Sequence, residues 1–135
     1  MGLNKLPNLV FWAVAVLTVV LLQVIRLALG DLVMYNSGIA FGLDLPANVI
    51  LVASTLFLVV MLIWFFVHRP CTAMWATAFG LIVGGGASNL LERFLGGEVA
   101  DYIQLGSLSH FNLADMAIVI GIVLALFELT RYGKT

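Results

Sequence analysis

Four long apolar segments, separated by shorter polar stretches, set the pattern of the chain. They cover residues 9–29, 49–67, 73–91 and 113–129. A hydrocarbon core of about 30 Å needs about 20 apolar residues in a crossing helix, and each segment comes close to that length. The pattern predicts an all-α integral membrane protein with four transmembrane helices, forming a single domain over residues 1–135.

The composition agrees with a membrane protein and excludes several other classes. Of 135 residues, 63% are hydrophobic and 10% are charged, and the mean hydropathy is +1.15. Because soluble domains carry about 25% charged residues, an ordinary cytosolic enzyme or a disordered chain is excluded. The formal charge of −1 leaves no basic face for nucleic acid. The single cysteine, Cys71, excludes an internal disulfide and any multi-cysteine metal site.

The positions of the basic residues predict the orientation in the membrane. Four of them fall on the side that holds both termini: Lys5, Arg69, Arg131 and Lys134. Arg26 and Arg93 border the opposite side. Since Lys and Arg are retained in short cytoplasmic loops, both termini should be cytoplasmic, and residues 30–48 and 93–112 should form extracytoplasmic loops.

Small residues recur at every fourth position in the last two apolar segments, which favours close helix packing in lipid. One stripe lies in the third segment and one in the fourth: Gly80, Gly84 and Ser88; Ala117, Gly121 and Ala125. Gly85 and Gly86 exceed what a single stripe needs. We therefore expect the third helix to pack on more than one neighbour, and its outer end to meet that of the fourth helix.

Two acids at the outer side carry the candidate chemistry. Asp101 lies in an alternating apolar and polar stretch that predicts an extended segment, and Asp115 opens the fourth helix. Two carboxylates a few ångströms apart share one proton, so one can deprotonate water while the other polarises a carbonyl group. This is the chemistry of aspartic peptide hydrolysis, which requires no metal and no cofactor.

Each acid also has a structural interpretation. Asn112 and Asp115 have the spacing of a helix N-cap and its N3 partner, and Asp101 alone would pass for a solvated loop acid. Asn89 and Arg93 lie on one face at the outer end of the third helix. A buried Asn in lipid is costly without a partner, so Asn89 is expected to order something specific.

The other charges near the outer border have a simpler interpretation. Arg93 and Arg26 can extend to the lipid head groups, and Glu92 is expected to be exposed at the interface. Residues 36–38, Asn-Ser-Gly, have the composition of a turn.

Three motifs, in order, resemble lipoprotein signal peptidase, the type II signal peptidase of bacteria. The first reads Asn-Ser-Gly-Ile-Ala-Phe at 36–41, where the family has Asn-x-Gly-x-Ala-Phe. The second runs from Asn89 through Arg93 and Gly97 to Asp101, and the third is Phe-Asn-Leu-Ala-Asp at 111–115. The resemblance covers roughly residues 19–130. Family members place a small β-like cradle over the outer face, so the same is expected here.

The resemblance implies a catalytic pair, Asp101 and Asp115. It further implies that three polar side chains orient the pair and the substrate backbone and that two residues line the pocket. The orienting residues are Asn89, Arg93 and Asn112, and the lining residues are Asn36 and Gly38. The implied reaction is cleavage of a prolipoprotein signal peptide before the cysteine that carries diacylglycerol.

The resemblance also implies the surroundings and partners of the enzyme. The site should face the extracytoplasmic side of the bacterial inner membrane, in contact with lipid, and bind globomycin-like inhibitors; a monomer without a metal is expected. The chain departs from the family pattern at the outer end of the first helix, where Leu22 and Arg26 replace Asp and Lys, and at Glu92, which replaces Asp.

Two other functions are compatible with a small four-span chain. A transporter or channel component would use an intramembrane acid to cycle protons, and would carry that acid near the bilayer midplane. A catalytically inactive relative would bind lipoproteins without cutting them. The position of both acids at the outer border argues against the transporter. The intact pair of acids argues against the inactive relative, which Leu22 and the short outer loops leave open.

Overall fold

A computed structural model describes residues 5–37, 45–68, 72–107 and 109–132 of the chain. Four helices in these ranges are long and apolar enough to cross a membrane, which confirms the predicted spans. The helices are α1 (Lys5–Leu29), α2 (Ala47–His68), α3 (Ala73–Gly96) and α4 (Leu113–Tyr132). The described part also contains a short 3-10 helix (Gly30–Leu32) and four short strands: β1 (Met34–Asn36), β2 (Val99–Asp101), β3 (Ile103–Leu105) and β4 (Ser109–Phe111).

Helix α3 is the centre of the bundle. In the 18-residue apolar stretch of α3, 56% of the residues are buried, whereas only 17–22% are buried in the corresponding stretches of the other three helices. Three consecutive glycines explain this, because each faces a different neighbour. A Cβ atom on Gly84 would lie 2.8 Å from the carbonyl oxygen of Ala15 in α1, and one on Gly86 would lie 2.7 Å from Leu58 in α2. On Gly85 it would lie 2.5 Å from the carbonyl oxygen of Ala114 in α4.

The predicted packing of α3 on more than one helix is therefore confirmed. Small side chains let helix backbones approach closely, which is the main source of association in lipid. The contact through Gly85 brings the middle of α3 against the first turn of α4, and Asn89, one turn further along α3, reaches Asp115. Near the other end of the bundle, stacked rings fill the space, with Phe11 against Phe65 at 4.1 Å and Trp64 against Phe79 at 4.6 Å between centroids.

The outer end of α3 turns the chain back towards the bundle. Gly97 has φ of 78° and donates its backbone N–H to the carbonyl oxygen of Arg93 at 2.8 Å. Glycine adopts this left-handed conformation without steric cost, so it commonly ends helices. Strand β2 begins two residues later, which confirms the extended segment predicted around Asp101.

The strands form two antiparallel ribbons. Strand β1 pairs with β2, with Tyr35 opposite Ala100, and β3 pairs with β4, with Gln104 opposite His110. The first ribbon joins the segment after α1 to the segment after α3, so it brings together the two predicted outer loops. These ribbons correspond to the small β-like cradle that the resemblance implied.

Candidate active site

Asp101 lies at the end of β2 and is only 4% exposed. Both of its carboxylate oxygens accept hydrogen bonds from side-chain amides. Asn36 donates to Oδ2 at 2.9 Å, and Asn112 donates to Oδ1 at 3.3 Å. Asn36 is supplied by the neighbouring strand β1, so the ribbon itself places this amide against the acid. The carboxylate of Asp101 is therefore buried and fixed by hydrogen bonds, and Asp101 is not a solvated loop acid.

Asp115 lies in the first turn of α4, where it forms the predicted capping arrangement with Asn112. The backbone N–H of Asp115 donates to Asn112 Oδ1 at 3.0 Å, and the backbone N–H of Asn112 donates to Asp115 Oδ2 at 3.1 Å. The other carboxylate oxygen, Oδ1, accepts a hydrogen bond from the side-chain amide of Asn89 at 2.8 Å. The helix cap thus fixes the orientation of a carboxylate that also faces the site.

Two asparagines connect the acids. The amide of Asn112 donates both to Asp101 and to Asn89 Oδ1, the latter at 3.0 Å, and Asn89 in turn donates to Asp115. Asn112 and Asn89 are both buried. A buried amide is stable only when its donors and acceptors are satisfied, so this network specifies one arrangement of the two acids. The sequence expectation that Asn89 orders a specific partner is confirmed.

Both acids line one pocket of about 170 Å³ beside the first ribbon. Its lining residues come from all the elements that meet there: Asn36, Asn89, Arg93, Val99, Asp101, His110 and Asp115. On this measure a cavity needs about 10–15 Å³ to hold one water molecule, so the pocket has room for water. The arrangement can hold a water molecule in a pocket that both carboxylates line.

The electrostatics of the pocket distinguish the environment of Asp101. Burial raises the pKa of its carboxyl group above the ordinary value, the hydrogen bond from Asn36 lowers it, and the nearby charge of Asp115 raises it further. The positive charges of Arg93 and His110 oppose the increase. The net increase favours retention of a proton near Asp101, as expected for two carboxylates that share one.

The structure brings six of the seven sequence-predicted site residues together. Asp101, Asp115, Asn36, Asn89 and Arg93 line the pocket, and Asn112 bridges the two acids behind it. The remaining one, Gly38, lies outside the described residues. Arg93 lines the pocket from α3, one turn after Asn89, which favours the site role over the interpretation that it only extends to the head groups.

Sequence reasoning missed two contributors to the pocket, Val99 and His110. His110 directly precedes the Phe-Asn-Leu-Ala-Asp motif, and only its pairing in β4 reveals that it faces the acids. Among the residues that the structure describes, no group of three or more His, Cys, Asp or Glu side chains is placed to hold a metal ion.

The prediction that Glu92 is exposed at the membrane interface is wrong. The side chain is buried and accepts hydrogen bonds from Gln23 and from the backbone N–H of Ala100. Arg26, expected at the lipid head groups, pairs with Glu92 at 3.5 Å. A sequence signal was present, since Glu92 continues the four-residue spacing of the small-residue stripe that ends at Ser88, and that stripe faces α1.

Comparisons with known proteins show which family the chain is similar to. The sequence profile of the family described as Signal peptidase (SPase) II matches residues 8–131. A lipoprotein signal peptidase of Syntrophomonas wolfei is 37% identical over 99 residues, which are 73% of this chain and 66% of that protein. One of Beijerinckia indica is 37% identical over 128 residues, covering 87% of this chain and 75% of that protein. The chain spans about two thirds of the length of several such relatives.

Solved structures show the same fold. One bacterial membrane enzyme superposes with a TM-score of 0.80 over 90% of this chain and 87% of that chain, at 22% identity. A second superposes with a TM-score of 0.77 over 87% of this chain and 90% of that chain, also at 22% identity. The fold, the profile match and the sequence identities agree, and the chain belongs to the signal peptidase II family, whose curated members are named lipoprotein signal peptidase.

Proposed function

We propose that this chain is an aspartic endopeptidase of the bacterial inner membrane that removes the signal peptide of diacylglyceryl-modified prolipoproteins. One observation carries the proposal: Asp101 and Asp115 line the same pocket and are connected through Asn112 and Asn89. Membership of the signal peptidase II family supports the substrate class. A proton-coupled transporter would use an acid near the bilayer midplane. Neither Asp101 nor Asp115 lies in the middle of a helix, so this pair does not fit that function.

The pair supplies both proton transfers of peptide hydrolysis. In the resting pair one proton is shared, and the raised pKa of Asp101 favours that side. Ionised Asp115 takes a proton from water as the water oxygen bonds to the scissile carbonyl carbon, while Asp101 gives its proton to the carbonyl oxygen. In the second step Asp101 takes that proton back, Asp115 protonates the peptide nitrogen, and the carbon–nitrogen bond breaks.

The remaining site residues orient the reacting groups. Asn89 and Asn112 fix the two carboxylates, and Arg93 places a positive charge where negative charge develops on the carbonyl oxygen. Asn36, and Gly38 beside it in the sequence, are proposed to line the path of the substrate backbone. Because the chemistry uses only these side chains, no metal or cofactor is invoked.

The position of the site suits a substrate that arrives through the lipid bilayer. The pocket lies where α3 ends and α4 begins, next to the two strand ribbons. With both termini in the cytoplasm, this end faces the extracytoplasmic side of the membrane. A signal-peptide helix and the acyl chains on its cysteine reach the pocket laterally, and a globomycin-like lipopeptide would compete for the same groove. The bundle supplies all six described site residues within a single chain, as a monomeric enzyme requires.

A gel-shift assay tests the proposal. Purified protein in detergent is incubated with a diacylglyceryl-modified prolipoprotein, in parallel with Asp101→Asn, Asp115→Asn and the control Asp31→Asn, which alters an exposed acid of the same outer surface. Wild type and the control should cleave, and both site variants should lose cleavage while remaining folded. Near-wild-type turnover by either site variant would refute the aspartic pair, and an inactive but folded wild type would refute the peptidase.

A further inference from the structure

We propose that Glu92 is a positioning residue for the reaction, which holds Asp101 in place through the backbone of strand β2. The inference rests on the proposed function and deepens it, since it concerns what fixes one member of the acid pair. It also gives a role to three charged or polar side chains that stand outside the catalytic pocket: Gln23, Arg26 and Glu92.

The central contact runs from a helix to the strand. Glu92 Oε2 accepts a hydrogen bond from the backbone N–H of Ala100 at 2.8 Å, and this bond is buried. Ala100 directly precedes Asp101 and is 1% exposed. Because a buried backbone N–H is costly to leave without an acceptor, the bond holds the strand against α3 one residue before the acid.

Helix α1 holds Glu92 from the other side. Gln23 donates its side-chain amide to Glu92 Oε1 at 3.2 Å and to Ser88 Oγ at 2.9 Å. The guanidinium of Arg26 lies 3.5 Å from Glu92 Oε2. Both carboxylate oxygens therefore have partners, and the buried negative charge faces a positive one. A buried carboxylate without such partners would be strongly destabilising, so the arrangement is specific.

Glu92 acts at a distance from the reacting groups. Together with Gln23, Arg26 and Tyr35 it lines a separate pocket of about 240 Å³, whereas Asp101 and Asn36 line the catalytic one. The neighbouring residues Tyr35 and Asn36 of β1 thus line different pockets, and the first ribbon lies between the two pockets. The path from Glu92 to the chemistry is the peptide backbone from Ala100 to Asp101.

A set of three substitutions tests whether the hydrogen bond or the charge of Glu92 matters. Glu92→Ala removes the acceptor, Glu92→Asp shortens the side chain, and Glu92→Gln retains an oxygen that can accept from Ala100 while removing the charge. Misplacing a catalytic group by about 1 Å costs up to about 100-fold in rate. We expect kcat to fall about 10- to 100-fold in Glu92→Ala, to fall less in Glu92→Asp, and to be largely restored in Glu92→Gln.

Three further readouts separate positioning from general destabilisation. KM for a diacylglyceryl-modified prolipopeptide should change little, and the acid limb of the pH–rate profile should be unchanged in Glu92→Gln. Hydrogen–deuterium exchange of the β2 amides should be faster in Glu92→Ala and Glu92→Asp than in wild type. The control Glu98→Ala truncates an exposed glutamate that lines the same second pocket, and should leave kcat and exchange unchanged.

The outcomes separate this inference from the proposed function. If wild type cleaves and Asp101→Asn does not, while Glu92→Ala retains kcat or normal β2 exchange, the positioning role is refuted and the peptidase stands. Equal losses in Glu92→Gln and Glu92→Ala, or a shifted acid limb in Glu92→Gln, would also refute it in favour of a purely electrostatic role. If Glu92→Ala fails to fold, the kcat values of Glu92→Asp and Glu92→Gln are compared. A kcat in Glu92→Gln that is no higher than that in Glu92→Asp would then refute the positioning role. An inactive wild type refutes both proposals.

Discussion

The phenolic oxygen of Tyr102 accepts a hydrogen bond from the backbone N–H of Leu113 at 3.2 Å. Leu113 is the first residue of α4, and its N–H has no partner within the helix. Tyr102 follows Asp101, and Leu113 precedes Asp115 by two residues, so this bond ties together the two elements that carry the acids. Burial raises the pKa of Tyr102, which keeps the phenol neutral in the ordinary working range.

Substitution Tyr102→Phe removes this one bond and keeps the ring. A buried hydrogen bond contributes about 0.5–1.5 kcal/mol, and the orphaned N–H adds to the loss. We therefore expect a lower melting temperature in detergent with cleavage still present, because neither acid loses a direct partner. Tyr35→Phe serves as the control, since Tyr35 is exposed. Equal melting temperatures for Tyr102→Phe and wild type would show that the bond contributes nothing to stability.

Asn112 caps helix α4 and also bridges Asp101 and Asn89, and two substitutions separate these roles. Asn112→Ser keeps a side-chain oxygen that can cap α4, whereas Asn112→Ala removes the cap at a cost of about 0.5–2 kcal/mol. Both remove the amide that donates to Asp101 and Asn89. We expect only Asn112→Ala to lower the melting temperature markedly, and both variants to lose activity.

The expected loss of kcat/KM is about tenfold or more in either variant, since about 1.4 kcal/mol of lost transition-state stabilisation gives that factor. Paired measurements of thermal unfolding and cleavage rates on the same preparations provide the test. Full activity in the stable Asn112→Ser variant would mean that the amide bridge between the two acids is dispensable, and that Asn112 serves only as a helix cap.

The hydrogen bond from Asn36 to Asp101 predicts a change in the pH profile. This bond stabilises the ionised carboxylate and so lowers the pKa of Asp101, in opposition to burial. Asn36→Ala removes it, and the pKa of Asp101 should then rise further. Because the proposed mechanism needs Asp101 protonated while Asp115 is ionised, the alkaline limb of kcat/KM against pH, where Asp101 loses its proton, should move to higher pH.

The matched control for this prediction is Ser37→Ala, an exposed neighbour of Asn36 in the same segment. Its profile should coincide with that of wild type. Rates are measured from acid to alkaline pH under conditions where both variants remain folded. An alkaline limb that stays in place or moves to lower pH in Asn36→Ala would contradict the assigned effect of the amide on Asp101.

The features predicted well from the sequence are those with local causes. Long apolar runs give the four helices, the spacing of Asn112 and Asp115 gives the helix cap, and glycines at helical spacing give the packing of α3. The extended segment at Asp101 follows from its alternation of polar and apolar residues. Each of these patterns lies within one segment, so no knowledge of tertiary contacts is needed.

The features that were missed depend on contacts between distant segments. Glu92 was expected at the surface because a charge near a helix end can reach water at little cost; its burial requires Gln23 and Arg26, which lie in another helix. The pairing of β1 with β2 joins three-residue strands on either side of two helices. His110 reaches the pocket only because β4 folds against β3.

The contact between Gly85 and α4 predicts a steric effect on the site. A Cβ atom at this position would lie 2.5 Å from the carbonyl oxygen of Ala114 and 2.9 Å from Ile118 Cγ1. Backbone atoms cannot yield as a flexible side chain can, so Gly85→Ala must push α4 away from α3. Overpacking of this kind costs about 1–3 kcal/mol. Because Ala114 precedes Asp115, the displacement also moves the acid.

We therefore expect Gly85→Ala to lower both the melting temperature and kcat. The matched control is Gly96→Ala in the same helix, where an added Cβ meets nothing within 4 Å. Alanine is favoured over glycine in helices by about 1 kcal/mol, so the control should be at least as stable as wild type and fully active. If Gly85→Ala behaved like Gly96→Ala, close approach of α3 and α4 would not be what places Asp115 beside Asp101.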